Sequence, residues 1–266
     1  MDLHLKGKRA LISGGSMGIG KAVADLLAAE GAAVAVAGRD ADRAEAAARE
    51  IAEAHGGTVV AVTGDTGDDA AAQAMVAAAV DRLGGIDIVV NCAAAPAGQK
   101  APPNSAEVTQ AHLEAHMNVK VMGYLRVAQA AMPHMVQNGW GRIVNVSGTG
   151  MYRPGDMVGA IRNAGVVAMS KNLAHDLAGT GVTTSVVHPG MTRTEKVDAM
   201  LAARAESNGR GFDDELVEMA KATLNGVVPT ARDLAQIIVF LASPLSSAIN
   251  GEVIVATGGR PGVISY

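Results

Sequence analysis

Aromatic side chains are almost absent from this chain of 266 residues, which holds two phenylalanines, three tyrosines and one tryptophan. A core without rings must be filled by Ala, Val, Ile, Leu and Met, and hydrophobic residues make up 49% of the sequence. Small aliphatic side chains let helices lie close on a sheet, which suits a parallel sheet covered on both faces. Cysteine occurs once, at Cys92, so no internal disulfide can form and a reducing cytoplasmic setting is expected. Positive charge is not in excess either: a net charge of −4 and a pI near 6.0 leave no basic stripe for nucleic acid. No apolar run is long enough to span a bilayer, and the opening Met1-Asp2-Leu3-His4-Leu5-Lys6 does not read as a signal peptide, so no membrane partner is expected. The seven histidines are not read as a paired metal-ligand set on one face, so no metal site is expected. The length suits one large α/β domain over residues 1–266.

Glycine, by contrast, is abundant and placed with purpose. Ser13-Gly14-Gly15-Ser16-Met17-Gly18-Ile19-Gly20 follows the apolar run Arg9-Ala10-Leu11-Ile12 and precedes the helix-like Lys21–Ala28. A turn free of side chains at Gly14, Gly18 and Gly20 lets backbone N–H groups and the positive end of a helix approach a pyrophosphate. The alternative is a purely structural strand-to-helix turn. A second strand-like run from Ala32 to Ala37 begins where a βαβ unit needs it, which favours a dinucleotide.

Strand-like runs recur at Arg9–Ser13, Val34–Gly38, Thr58–Thr63, Ile86–Asn91, Arg142–Ser147, Thr183–His188 and Glu252–Ala256, alternating with Ala-rich helical runs. This pattern predicts a single Rossmann-type, doubly wound domain with seven parallel strands. Gly31, Gly56, Gly84 and Gly139 fall just after helical runs, where a left-handed C-cap is wanted. The Ala41–Ala54 run reads as a helix whose charges form a solvated face.

In order and spacing these residues resemble the short-chain dehydrogenases/reductases over nearly the whole chain. Ser13–Gly20 is similar to the family's phosphate loop, with Ser16 and Ile19 inside it; Asp65-Thr66 to the acidic pair that contacts adenine; Asn91-Cys92-Ala93-Ala94 to the segment after the fourth strand; and Asn118 to the helix asparagine. Arg142–Ser147 resembles the fifth strand, Val187-His188-Pro189-Gly190 the turn that with Thr192 and Thr194 holds a nicotinamide carboxamide, and Asn250–Gly259 the last strand and its tail. The resemblance implies a nicotinamide cofactor and an oxidoreductase. Cofactor choice is read after the second strand: a carboxylate there would grip the ribose of NAD, whereas this chain has Gly38 and then Arg39, whose guanidinium can pair with the extra phosphate of NADP. Arg39 could alternatively be a surface residue satisfied by Asp40 or Asp42.

The catalytic region departs from the family. Carbonyl-reducing members carry a Ser and a Tyr-x-x-x-Lys, because a phenol of pKa near 10 works near neutrality only beside an ammonium. Aligned on Asn163–Ala178, the lysine position is Asn163 and the tyrosine position is Gly159; Ser147 matches the first serine of the family's pair and Gly148 the second. The residues left to carry chemistry are Asn118, Ser147, Tyr152 and Asn163, with Asp156, Arg162 and His188 within reach. Two functions are open: an atypical NADP-dependent oxidoreductase acting on a small apolar carbonyl, enone or imine, or a nucleotide-binding protein without turnover. Residues 192–228, with Met200 and Met219 beside the neighbouring Met191, occupy the family's substrate-lid position. The helices expected over Ser105–Gln137 and Val158–Ala178 resemble the family's long helices, which pack against their copies, so with the tail Gly258–Tyr266 the resemblance implies a homodimer or homotetramer.

Overall fold

The structure is a computed structural model that describes residues 1–94, 103–152 and 154–261. Seven strands, β1 (Arg9–Ser13), β2 (Ala33–Gly38), β3 (Val59–Thr63), β4 (Ile88–Asn91), β5 (Gly141–Val146), β6 (Val182–Pro189) and β7 (Glu252–Ala256), form one parallel sheet in the order β3-β2-β1-β4-β5-β6-β7. The predicted doubly wound fold is present, with strand ends shifted by at most two residues. Helices α1 (Gly18–Ala29), α2 (Ala41–His55), α3 (Asp69–Leu83), α4 (Gln110–Met117), α5 (Gly123–Gln137), α6 (Met157–Asp176), α7 (Glu195–Asn208), α8 (Phe212–Ala220) and α9 (Ala231–Leu241) complete the described elements.

Alternation along each strand divides the core in two. Ala10 and Ile12 of β1, Val34 and Val36 of β2 and Val144 of β5 face α1, α2 and α9, while Leu11, Ala35, Ala37 and Ile143 face α3, α5 and α6. Both faces are therefore covered, as a continuous run of aliphatic residues in each strand requires. The glycines expected to end helices do so: Gly31, Gly56, Gly84 and Gly139 all have positive φ.

The helix expected over Ser105–Gln137 is different. Residues 104–107 are held in a turn, with Asn104 accepting from the Ala106 N–H and Glu107 from the Asn104 N–H, and Thr109 caps α4 through the His112 N–H. Between α4 and α5 the chain makes a π-turn over Asn118–Met122. Such an extra residue in a helix re-aims the side chains on either side of it, and here it governs the site.

A buried polar ladder crosses the sheet beneath that site. Ser13 Oγ donates to Asn91 Oδ1 (3.0 Å), Asn91 Nδ2 to Asn145 Oδ1 (2.9 Å), Asn145 Nδ2 to Ser170 Oγ (2.9 Å) and Ser170 Oγ to the Val166 carbonyl (2.7 Å). It ties β1, β4 and β5 to α6 where strand order reverses, the place at which open α/β sheets take their ligands.

Candidate active site

The crevice starts at the loop between β1 and α1. Gly14 has φ +71°, and a Cβ there would stand 2.8 Å from the Ala93 nitrogen, so the β1 and β4 loops touch only because the side chain is missing. A Cβ on Gly20 would collide with the Gly14 carbonyl. Met17, before α1, gives no side-chain cap, and no acidic residue stands in the first turn. The free N–H groups at this helix start already attract an anion: Glu195, at the start of α7, reaches back so that its Oε2 accepts from the Gly18 N–H (3.2 Å). A carboxylate thus stands where a phosphate oxygen would be received, and the loop fits a pyrophosphate. Ile19 packs on the core beside it.

Ser16 lies against the end of β2, its Oγ 3.3 Å from where a Cβ on Gly38 would be. Arg39 is exposed beside it. The surface alternative for Arg39 loses its first partner, because the Asp40 carboxylate caps α2 through the Arg43 N–H (3.0 Å) and pairs with the Arg43 guanidinium (2.6 Å). Among the described residues no carboxylate pairs with Arg39.

At the end of β3, Asp65 accepts from the Gly67 N–H (2.8 Å) and Thr66 is buried against Gly123. Asn118 joins this group and not Ser147: its Nδ2 donates to the Gly67 carbonyl (2.9 Å), and the Arg126 guanidinium holds its carbonyl (3.1 Å). The π-turn is the cause, since it points Asn118 at β3 and delivers Lys120, two residues on, to β5. Asn91 is also committed elsewhere, its amide being consumed by the polar ladder and a weak bond to the Tyr124 carbonyl (3.4 Å).

Ser147 and Gly148, just past β5, are the hub of the opposite end. Lys120 Nζ donates to the Ser147 carbonyl (2.9 Å); Ser147 Oγ donates to the Asn163 carbonyl (3.1 Å) and lies 3.4 Å from its side-chain oxygen; and the Gly148 N–H donates to His188 Nδ1 (3.1 Å). Asn163 is buried, and its amide nitrogen would be 3.1 Å from a Cβ on Gly148 and 3.3 Å from one on Gly150. The short 3₁₀ turn Thr149–Tyr152 therefore lies over the first turns of α6. Tyr152 sets its ring edge-on to His188 (5.5 Å between centroids), with the Arg260 guanidinium 5.5 Å above the phenol ring. Gly159 faces the cap of its own helix: Asp156 Oδ1 accepts the Gly159 N–H (2.7 Å), and a Cβ on Gly159 would collide with that carboxylate.

Electrostatics set this end apart. Burial, reinforced by the Arg162 charge, pulls the Lys120 ammonium down to about 7, and burial followed by the Lys120 charge pulls His188 down to about 4. His188 is thus neutral, with Nδ1 accepting and Nε2 left to donate. The chain's own sequence carried a signal for Lys120: it precedes the buried Tyr124 by four residues, on the stripe continued by Val127, Ala128 and Ala131.

Pro189 and Gly190 close the crevice. Gly190 donates from its N–H to the Ala256 carbonyl (3.2 Å), Thr192 Oγ1 to the Gly190 carbonyl (3.1 Å), and Thr194 caps α7 while lying against Gly18. The segment from Gly190 to Glu195 runs back to the phosphate loop, and α7 and α8 rise from it in the predicted lid region. Among the described residues no cluster of His, Cys, Asp and Glu has metal-holding geometry, and no described helix is long and apolar enough to cross a membrane.

A parallel doubly wound sheet with a side-chain-free phosphate loop at its switch point defines a dinucleotide-binding α/β protein. Comparison with known proteins sharpens this: the family model described as enoyl-(acyl carrier protein) reductase matches residues 14–260, and the chain belongs to that family within the short-chain dehydrogenases/reductases. It is 34% identical over 266 residues to the uncharacterized oxidoreductase YvrD of Bacillus subtilis (97% of this chain, 98% of the relative). Identity is 32% over 264 residues to the (2S)-[(R)-hydroxy(phenyl)methyl]succinyl-CoA dehydrogenase subunit BbsD of Thauera aromatica (97% and 98%). Among solved structures, L-sorbose reductase from Gluconobacter frateurii, complexed with NADPH and L-sorbose, superposes with a TM-score of 0.91 at 26% identity, covering 99% of this chain and 100% of that one.

Proposed function

We propose that the protein is an NADP(H)-dependent oxidoreductase with a non-standard proton-handling site, acting on a small carbonyl, enone or imine. The observation that carries the reading is that both ends of the dinucleotide crevice are built, the phosphate loop with Arg39 at one end and Pro189-Gly190 with Thr192 and Thr194 at the other. Bound NADPH would supply a hydride at the crevice floor near Ser147. Ser16, Gly18 and the α1 N-terminus would hold the pyrophosphate, Arg39 the extra phosphate, and Asp65 and Thr66 the adenine end. Gly159 and Asn163 stand in the family's tyrosine and lysine positions, so the donors left near the reacting atoms are the Asn163 amide, the Tyr152 hydroxyl and the Ser147 hydroxyl. Conjugated or imine substrates need less help from an acid than a simple ketone does, which suits this set. The solved relative complexed with NADPH supports the cofactor.

The protein should bind NADPH at least tenfold more tightly than NADH, a difference of about 1.4 kcal/mol and within the range of one charge-assisted contact. Titration calorimetry of wild type and Arg39→Ala tests it: the preference should vanish in the variant, and equal affinities in wild type would overturn the cofactor assignment.

A second reading, dinucleotide binding without turnover, is favoured by the close packing of Gly148 and Gly150 on the Asn163 amide. Oxidation of NADPH in the presence of enones and imines separates the two. For the assembly, Met122 and Val136 around α5 and Met157 and Ile161 on α6 are exposed apolar residues on the helices expected to pack against copies. The C-terminal part of the expected tail interface, residues 262–266, lies outside the described residues. Light scattering should give a dimer or tetramer; a mass of about one chain at micromolar concentration would reject this.

A further inference from the structure

An anionic side chain of the protein itself stands at the phosphate loop, where an anion is to be received. Glu195, the first residue of α7, brings its Oε2 to the Gly18 N–H at the start of α1 (3.2 Å), across 177 residues of chain. Its own helix is served without it: Thr194 Oγ1 caps α7 through the Val197 N–H (3.4 Å), and Asp198 in the same turn pairs with Arg193 (3.0 Å). No cation offsets the carboxylate. Among the described residues none pairs with Glu195, and Lys21, the first cation of α1, is taken by Glu50 (2.7 Å).

The fold holds Glu195 there. The chain enters and leaves the lid at one point, where the Arg193 N–H donates to the Pro229 carbonyl (2.8 Å) and the Ala231 N–H to the Arg193 carbonyl (3.0 Å). Thr194 lies against Gly18, its methyl 3.4 Å from where a Cβ would be. Beyond this base α7 and α8 are joined by the buried Glu215 carboxylate, which accepts from Asn208 Nδ2 (2.9 Å) and pairs with the Arg204 guanidinium (2.8 Å). Glu195 is thus carried to the phosphate loop by the base of the lid.

A backbone N–H that donates to Glu195 is not free for a phosphate oxygen, and two anions at one helix start repel each other. We propose that Glu195 is an internal competitor of the dinucleotide: the lid's own carboxylate and the pyrophosphate contend for the Gly18 N–H, and a bound cofactor displaces Glu195. The inference rests on the proposed function for the identity of that cofactor. Competition is reciprocal, so the cofactor loosens the lid base from the phosphate loop, and Glu195 makes the cofactor bind less tightly than the loop alone would bind it.

The test is titration calorimetry of wild type, Glu195→Gln and Glu195→Ala with NADP⁺ and with adenosine 2′-monophosphate, which carries no group for the phosphate loop. The side chain is exposed, so both variants should fold, as circular dichroism checks. NADP⁺ should bind each variant about fivefold more tightly than wild type, the size of one like-charge contact in water. Adenosine 2′-monophosphate should bind all three proteins alike. Unchanged or weaker NADP⁺ binding by the folded variants overturns the competition, the weaker case showing that Glu195 helps to hold the cofactor. An equal gain for both nucleotides overturns it too, since a long-range effect of charge would then be enough. Dinucleotide binding that ignores Glu195 defeats this inference alone, whereas no binding of NADP⁺ by any of the three proteins defeats the proposed function and the inference with it.

Discussion

Asn145→Ala should lower the thermal midpoint by roughly 6–12 °C, with circular dichroism as the measurement. Asn145 is the middle of the ladder that joins β4 to α6 and is fully buried. Truncation removes the acceptor of Asn91 Nδ2, leaving that amide only its 3.4 Å contact with the Tyr124 carbonyl, and removes a donor to Ser170. A buried donor left unmet costs about 1–3 kcal/mol, and the lost side-chain volume adds to it, for a total near 3 kcal/mol. In a chain of this size each kcal/mol moves the midpoint by about 2–4 °C. Ser13→Ala, at the ladder's end, should cost much less, since Asn91 Oδ1 is an acceptor and acceptors tolerate loss better. Asn91→Ala combined with Asn145→Ala should cost less than the sum, because the two share one bond. A shift below about 2 °C for Asn145→Ala would show that the ladder contributes little.

The fold was legible because its signals are local and repeat: aliphatic runs of strand length, Ala-rich helices between them, and glycines after the helices that the structure finds with positive φ. The phosphate loop was legible for the same reason, its glycines lying within eight residues of one another. The substrate end was not. Asn118 and Ser147 are both among the residues left to carry chemistry, yet the π-turn over Asn118–Met122 sets the Asn118 side chain on the Gly67 carbonyl and Lys120 on the Ser147 carbonyl. One inserted residue in a helix has no compositional mark. Asn91 matched a motif yet spends its amide inside the sheet, a fate decided by Asn145, which is 54 residues away in the chain. Lys120 could have been noticed as a lysine on a buried stripe. That no carboxylate among the described residues pairs with it is a property of several distant elements together and has no sequence signal.

Unmodified protein should reduce simple ketones with NADPH very slowly, and Gly159→Tyr combined with Asn163→Lys should raise that rate, by up to about 10²–10⁴-fold if the new phenol reaches the substrate. Neither change alone should do so: a phenol without an adjacent ammonium keeps a high pKa, and an ammonium without a phenol has nothing to tune. The structure adds a condition. A Cβ at position 159 runs into the Asp156 carboxylate, so the tyrosine displaces the cap of α6, at a cost of about 1 kcal/mol. Asp156→Ser keeps a capping oxygen on a shorter side chain, and the triple variant should therefore be both more stable and more active than the double one. The ring must also push aside the turn Thr149–Tyr152, whose Gly150 lies close over Gly159, so thermal midpoints must accompany the rates. At position 163 the lysine would bring a second ammonium toward Ser147, whose carbonyl Lys120 already holds, which helps hold the phenolate but adds buried charge. Fast ketone reduction by wild type that is abolished in Tyr152→Phe would show instead that Tyr152 is the acid and that the site functions with Gly159 and Asn163 as they stand.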